Sequence, residues 1–230
     1  MHLKNPTTEQ WAKSFAISTA PTPTPAAGYA EACPVGAREV AERAIVLQGV
    51  VAVACGVAAN PVVEWLKRQA IWEAVSEKER AFLLDPKSAL PDDVLRFRWQ
   101  QEAEWTLLWV IRKVEDLGLP VRECDTRRLV DEIIPELGSD IEPFLASATL
   151  RHPGELLAES DRHYDLWCRY IQWRREHPES LPSDLNVQVL YQREYAFEWL
   201  QGIEAWDDVQ CDSYASSRAL QRAEAHLVEL

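Results

Sequence analysis

Polar and aromatic residues recur at helical spacing in the middle of the chain. They are separated by four, three and four positions and therefore share one face of a helix: Arg98, Glu102, Trp105 and Trp109. The residues around them are strongly apolar, which predicts a helix that is buried on most sides. An unpaired carboxylate would be costly there, so Glu102 needs a positively charged partner.

The partner of Glu102 can come from the same helix or from another one. Arg98 stands one turn before Glu102, while Arg43 and Arg193 lie in other predicted helices. A pair inside the core would be a structural ion pair, whereas a pair at the edge of a cavity would be a binding feature with a shifted pKa. Both interpretations remain open.

A second group of charged residues is acidic, and its members are Glu159, Asp161, His163 and Asp165, followed later by Asp207, Asp208 and Asp212. Asp161 and Asp165 are four positions apart and share a helix face, whereas His163 points the opposite way. Carboxylates brought together could hold a hard cation or serve general acid–base chemistry. The spacing matches neither a calcium loop nor an H-E-x-x-H zinc helix, and a solvated acidic face is the alternative.

Other catalytic patterns are missing from the sequence. It contains no G-x-S-x-G elbow, no phosphate loop and no dinucleotide fingerprint. Cys124 stands just before a predicted helix start, where a thiolate is stabilised, but no histidine is near it in the sequence. A buried, inert thiol is the usual outcome for such a cysteine. We therefore predict no catalytic residue, no metal site and no cofactor.

The charge of the chain is strongly negative and unevenly placed. The formal net charge is −13, and the segments 131–165 and 198–212 carry almost all of it. A surface that binds nucleic acid would be basic, so the sequence argues against DNA or RNA as a partner. An acidic face can instead steer a basic protein partner, or it can simply be a solvated surface.

Cysteine usage and hydropathy bear on the compartment. The chain has five cysteines, which are scattered and never form a C-x-x-C pair. This pattern predicts neither a disulfide framework nor a zinc ribbon and fits a reducing cytoplasm. The longest uncharged apolar run, Ala44 to Ala59, is shorter than the roughly 20 residues that span a bilayer. We therefore expect a cytoplasmic protein that does not cross a membrane.

Helical periodicity accounts for nearly the whole chain and for most of its ten tryptophans. The predicted helices run over Thr8–Ala16, Ala37–Cys55, from Asn60-Pro61 onward, from the Ser76–Glu79 capping box to Leu84, Pro91–Leu117, from Asp125 towards Gly138, from a second capping box at Ser139–Glu142, Pro153–Glu176, Asn186–Gln201, and from Ser213 or Ser216 to the last residues. No alternating pattern predicts a strand. The fold class is therefore all-α, with one multi-helix domain over residues 36–213, a Pro-rich, partly extended arm over residues 1–35 and a C-terminal helix over residues 214–230.

Several segments, in this order, resemble a bacterial family known as domain of unknown function 4272. They are AERAIVLQGVVAVACGV, WLKRQAIWEAVSEKERAFL, QEAEWTLLWVI, ELLAESDRHYDLW and QREYAFEWLQG with WDDVQCDS, and they extend from about Ala37 to Ser213. The resemblance implies a helical fold and names no activity. By position, it also implies a set of recurrent polar and aromatic sites, which we take as candidate binding residues: Arg43, Glu102, Trp105, Trp109, Asp161, Arg193, Trp199, Asp207, Asp208 and Asp212.

The chain departs from the family pattern at two places. A basic residue and a His-Trp pair are commoner around Asp165, Trp167 and Cys168, and a histidine is frequent where this chain has Glu194. Both departures remove basic or metal-binding groups. They argue against histidine chemistry in this chain.

Three functions from different classes follow. The leading hypothesis is a non-enzymatic interaction protein whose acidic C-terminal half binds a basic protein partner. Small acidic helical proteins of this kind include immunity proteins that neutralise toxins, and this version of the hypothesis is an analogy. The alternative is a metal- or small-molecule-binding enzyme that uses clustered carboxylates, with Glu102 and Arg193 in a tryptophan-lined pocket. A third is a scaffold subunit that self-associates. The sequence leaves the oligomeric state open.

Overall fold

The computed structural model describes residues 6–17, 19, 34–177 and 181–211 of the chain. The described residues form helices and no strands, which confirms the all-α prediction. Nine helices follow one another in these segments: α1 (Thr8–Ser14), α2 (Ala37–Ala54), α3 (Ala59–Arg68), α4 (Glu77–Leu84), α5 (Pro91–Val110), α6 (Thr126–Arg128, continued by a π-helical turn Leu129–Ile133), α7 (Glu142–Ala146), α8 (Pro153–Glu176) and α9 (Val187–Trp199). Two short 3₁₀ turns, Trp72–Ala74 and Trp206–Asp208, complete the described elements. The predicted C-terminal helix over residues 214–230 lies outside the described residues.

The core of the protein is built around two long apolar helices. α2 packs along α5, and α9 packs against both α5 and α8. α2 and the C-terminal half of α5 are buried almost all round, as their apolar composition predicts. Gly49 allows α2 and α3 to approach closely, because a Cβ at this position would lie 2.9 Å from a methyl group of Val62.

The first helix of the chain packs onto this core. In α1, Trp11 and Ala12 are buried, and the ring of Phe15 meets Trp173 of α8 edge to face. The carboxylate of Asp184 accepts hydrogen bonds from the backbone N–H and the hydroxyl of Thr8, at 2.6 and 2.8 Å. The arm predicted for residues 1–35 thus contains a helix that is attached to the domain.

Most helix starts agree with their sequence signals. The capping box of Ser76 and Glu79 begins α4, and Asp125 accepts a hydrogen bond from the N–H of Arg128 at the start of α6. Pro91 and Pro153 stand at the first positions of α5 and α8. Proline is tolerated at this position because the first N–H groups of a helix have no hydrogen-bond partner within the helix.

The second predicted capping box, at Ser139 and Glu142, is wrong. The hydroxyl of Ser139 donates to the carbonyl of Glu136 and so closes the preceding turn. The carboxylate of Asp140 accepts the hydrogen bond from the N–H of Glu142 at 3.0 Å. Aspartate and serine compete for the same orphan donors at a helix start, and the sequence does not show which one will take them.

The predicted ends of two helices also need correction. α3 begins at Ala59, so Pro61 stands inside the first turn rather than at the first position. α5 ends at Val110, well before Gly118, because Arg112 adopts a left-handed conformation with φ of 65°. The N–H of Lys113 donates to the carbonyl of Leu108 at 2.8 Å, which closes the end of the helix as a Schellman motif without glycine.

None of the described helices combines the length and the apolar character that a bilayer-spanning helix requires.

Candidate functional site

Glu102 and Arg193 form a buried ion pair between α5 and α9. Both side chains are 2% exposed, and the guanidinium Nε and Nη2 lie 3.3 Å from one carboxylate oxygen. The expectation that Glu102 has an arginine partner is confirmed, and of the three arginines considered the partner is Arg193. Arg98 instead donates to the carbonyl of Ala54 at 2.7 Å.

The same pair holds the loop that follows α5. Arg193 also donates to the carbonyls of Leu117 and Gly118, and Glu102 accepts a hydrogen bond from the N–H of Cys124. Burial lowers the pKa of Arg193, although its carboxylate partner opposes this effect. The arginine thus satisfies two loop carbonyls and one carboxylate, which is a structural use of its donors.

A cavity of about 620 Å³ lies against this loop, and Trp105 and Arg193 contribute to its wall. Cys124 also lines the cavity, and burial together with the neighbouring carboxylates raises the pKa of its thiol. A protonated thiol is a poor nucleophile, since the thiolate is the reactive form. Of the tryptophans in the candidate set, only Trp105 lines this cavity.

A second buried ion pair joins α2 to α4. The guanidinium of Arg43 lies 2.5 and 2.6 Å from the two carboxylate oxygens of Glu79, which is fully buried, and it donates to the carbonyl of Ala74 at 2.9 Å. Glu79 therefore has two roles, since the same carboxylate completes the capping box of α4. The sequence indicated only the capping role.

Aromatic rings cover this second pair. The guanidinium of Arg43 lies 4.6 Å from the ring centroid of Trp206, a cation–π distance. Trp199 meets Trp206 edge to face with ring centroids 5.5 Å apart. The structure thus brings together Arg43, Trp199 and the turn that carries Asp207, three of the predicted positions.

A third pair lies within α8. Arg162 donates to the carboxylate of Glu159, and the ring nitrogen Nδ1 of His163 lies 3.5 Å from the same carboxylate. Burial raises the pKa of Glu159, while Arg162 acts in the opposite direction. Glu159 and Asp161 therefore differ in environment, because Glu159 is buried and Asp161 is only partly buried. Asp161 belongs to neither the Glu102–Arg193 pair nor the Arg43–Glu79 pair.

Glu104 is an internal carboxyl group of a different kind. Its side chain is fully buried on α5, and neither carboxyl oxygen has a hydrogen-bond partner among the residues that the structure describes. Burial raises the pKa of Glu104 well above its usual range, because a charged form would lose its hydration without compensation. We infer a neutral carboxyl inside the core.

Asp207 ties the C-terminal turn to the start of α4. Its carboxylate accepts a hydrogen bond from the N–H of Lys78 at 2.8 Å, and its carbonyl accepts one from the ammonium of Lys78 at 2.6 Å. A carboxylate at a helix N-terminus is favoured by the orphan N–H groups and the helix dipole. Asp208 is exposed next to it, and Asp212 lies outside the described residues.

Asp207 also lines an open cleft of about 390 Å³, which we call the α4–α9 cleft. Its walls come from α4, the first half of α5, the middle of α9 and the turn after α9. The lining includes the polar residues Lys78, Asp85, Asp93, Arg96 and Gln100 and the aromatic residues Phe82, Phe97, Tyr191 and Tyr195. This volume is within the range of small-ligand pockets, roughly 300–1,000 Å³.

The cleft carries more acid than base. Its two bases are engaged, since Lys78 binds Asp207 and Arg96 forms an ion pair with Asp93. Within the described part of the chain, the carboxylate of Asp85 has no hydrogen bond and no ion pair, and it is exposed. The cleft therefore has one acidic group without a cation of its own.

The remaining predicted residue, Trp109, lies away from this cleft. Its ring meets Phe197 edge to face, and the guanidinium of Arg151 lies 4.7 Å from its centroid. In the described residues, no three side chains among His, Cys, Asp and Glu converge as metal ligands.

Sequence reasoning missed the acidic cleft residues Asp85 and Asp93. Asp85 had a clear local explanation as the residue that ends α4, and Asp93 as an acid in the first turn of α5. Neither signal shows that the two line the same cleft. Only the packing of α4 against the start of α5 brings them together.

A family model described as "Domain of unknown function (DUF4272)" matches residues 4–209 of the chain. The match begins well before Ala37, so α1 belongs to the matched region, which the motifs quoted above did not indicate. No curated protein and no solved structure matched the chain.

Proposed function

Because the chain belongs to the domain of unknown function 4272 family, whose description names no activity, we propose its function from charge and geometry: a non-enzymatic interaction protein that binds a basic protein partner. The acids that could serve such a role are those at the surface. A toxin countered by an immunity protein is one class of basic partner, and the proposal does not depend on it.

The observation that supports this proposal most directly is that some acidic residues are buried and paired with arginines, whereas others are exposed. Glu79 and Glu102 are buried and paired with arginines, so their charges are neutralised inside the core. Asp85 and Asp208 are exposed, and Asp85 lies on the wall of the α4–α9 cleft. The buried, paired carboxylates join helices to one another, whereas the exposed carboxylates are accessible to a partner.

Apolar side chains next to the cleft favour a protein as the partner. Leu84 and Leu90 are 61% and 67% exposed, and they flank the cleft residues Asp85 and Ala89 in the sequence. Exposed large apolar groups beside charged ones resemble the composition of an interface, in which an apolar centre is surrounded by polar groups. A small ion alone would leave Leu84 and Leu90 in water.

Affinity capture with the full chain as bait tests the proposal. We expect one specific basic protein to be retained from the native lysate, identified by mass spectrometry, and then to bind the bait again as a purified protein. The affinity of the purified pair should fall as salt rises, because exposed charges are screened over about 10 Å at 0.1 M ionic strength. Retention of nothing, or equal retention of many unrelated proteins, would contradict the proposal.

A matched control separates specific binding from general acidity. Glu136 is exposed on the acidic segment 131–165 and is absent from the wall of the cleft. Glu136→Gln and Asp85→Asn change the net charge by the same amount. We expect Asp85→Asn to weaken the purified pair and Glu136→Gln to leave it nearly unchanged.

A further inference from the structure

The walls of the α4–α9 cleft combine aromatic faces with acidic groups. Phe82 and Phe97 are stacked with ring centroids 4.5 Å apart, and Tyr191 and Tyr195 of α9 also line the cleft. Asp85, Asp93 and Asp207 supply carboxylates from three different elements. Aromatic faces next to carboxylates are suited to an organic cation, which the ring quadrupole and the carboxylates both attract.

A buried polar group in the wall gives an independent indication of a ligand. Gln100 lines the cleft and is more than nine-tenths buried, and its carboxamide oxygen has no hydrogen-bond partner in the part of the chain that the structure describes. A buried acceptor without a donor is costly, so such a group is normally satisfied by protein, water or a ligand. A guanidinium, with five N–H donors and no acceptor, has the complementary chemistry.

The bases in the wall do not oppose a cation. Lys78 is held by Asp207, and Arg96 is paired with Asp93, so each base is matched by an acid of the same cleft. Asp85 remains without a cationic partner among the described residues. A positively charged ligand could therefore pair with Asp85 without displacing Lys78 or Arg96 from its own acid.

From this arrangement we infer that the α4–α9 cleft is a binding site for an arginine side chain of the basic protein partner. The inference rests on the proposed function in that it assigns the arginine to that partner. The planar guanidinium lies against the aromatic wall and binds the carboxylate of Asp85. Arginine suits this site better than lysine, because the ammonium of lysine has no planar face to stack.

A small probe tests the chemistry of the cleft without the partner. The full chain is titrated with N-acetyl-arginine-N-methylamide and followed by amide chemical shifts in NMR. We expect shifts concentrated on residues 81–97 and 207–209, and a weaker shift or none with the uncharged citrulline derivative. Equal binding by the citrulline derivative would overturn the inference, and equal binding by the lysine derivative would overturn the assignment to arginine.

Two variants locate the probe. Asp85→Asn should weaken its affinity about threefold, as is typical for loss of an exposed ion pair, while Glu136→Gln should leave it unchanged. Ala81 is exposed on α4 and lines the cleft, so Ala81→Trp should fill the space and abolish binding without disturbing the core. Unchanged affinity in Ala81→Trp would place the probe elsewhere and contradict the inference.

Binding of the purified partner to Ala81→Trp distinguishes failure of this inference from failure of the proposed function. If the purified partner binds Ala81→Trp as tightly as the wild type, the cleft is not its docking point, although the interaction itself stands. If the probe binds the cleft but no specific partner is found, the proposed function fails and the chemistry of the cleft stands.

Discussion

At the scale of single residues, the buried carboxyl of Glu104 makes stability depend on pH. Burial raises its pKa in the folded chain, so the unfolded chain loses the proton first as the pH rises. The free energy of unfolding should therefore fall as the pH rises from the usual range of a glutamate pKa to the raised value, and level off above it. Below the usual range both states are protonated, and this effect disappears.

Glu104→Gln removes this dependence while keeping the shape of the side chain. We expect the variant to be more stable than the wild type at neutral pH, because ionisation of Glu104 stabilises the unfolded wild-type chain and glutamine cannot ionise. Urea unfolding of both proteins across the pH range measures the effect, with Glu115→Gln, an exposed site, as the control. Parallel pH profiles for wild type and Glu104→Gln would show that the carboxyl is ionised in the fold.

At the scale of helices, the attachment of α1 depends on a remote carboxylate. Asp184 accepts two hydrogen bonds from Thr8 in the first turn of α1, where the N–H groups have no partner within the helix. Asp184→Ala should destabilise this helix by about 1 kcal/mol, comparable to the loss of an N-cap. Hydrogen exchange of residues 8–14 should accelerate, while that of α5 should not change.

Asp184→Asn is the matched variant, because its amide oxygen can still accept a hydrogen bond. We expect it to retain most of the protection of α1. If Asp184→Ala leaves exchange in α1 unchanged, then the other contacts hold the helix in place, among them the packing of Trp11 and Phe15 and the hydrogen bond from the N–H of Ser183 to the carbonyl of Pro6.

Helices are also where the sequence was most informative. Apolar periodicity and capping residues predicted α2, α4, α8 and α9 to within about two residues, because these signals act locally. The end of α5 could not be predicted, since Arg112 takes a left-handed conformation that glycine normally occupies. The start of α7 was predicted incorrectly for a different reason, because Ser139 and Asp140 offer competing oxygen atoms to the same turn.

At the scale of the whole molecule, the sequence predicted that Glu102 would be paired but did not identify the partner, since Arg98 and Arg193 fit equally well. Three-dimensional packing decided the question by placing α9 against α5. The same limit applies to the α4–α9 cleft, whose acids Asp85 and Asp207 are 122 residues apart in the sequence. Spacing rules describe one helix at a time and cannot show such a convergence.

The acidic surface leads to a prediction about association kinetics. Replacing Asp207, Asp208 and Asp212 together with asparagine removes three negative charges near the end of the acidic segment 198–212. We expect the association rate with the purified partner to fall and the dissociation rate to change less, because long-range charge acts on the encounter. Stopped-flow measurements at low and physiological salt test this, and a change confined to the dissociation rate would contradict electrostatic steering.

The turn that covers Arg43 is translated late, so its contacts form after those of the helices that it covers. Arg43 and Glu79 leave the ribosome early and can pair as soon as α2 and α4 exist. Trp206, which covers that pair, and Asp207, which closes the cleft, are translated more than 120 residues later. Until residue 209 has left the ribosome, a nascent chain therefore lacks the ring that covers Arg43 and the acid that completes the wall of the cleft. A partner of the proposed kind would meet a complete cleft only after that point.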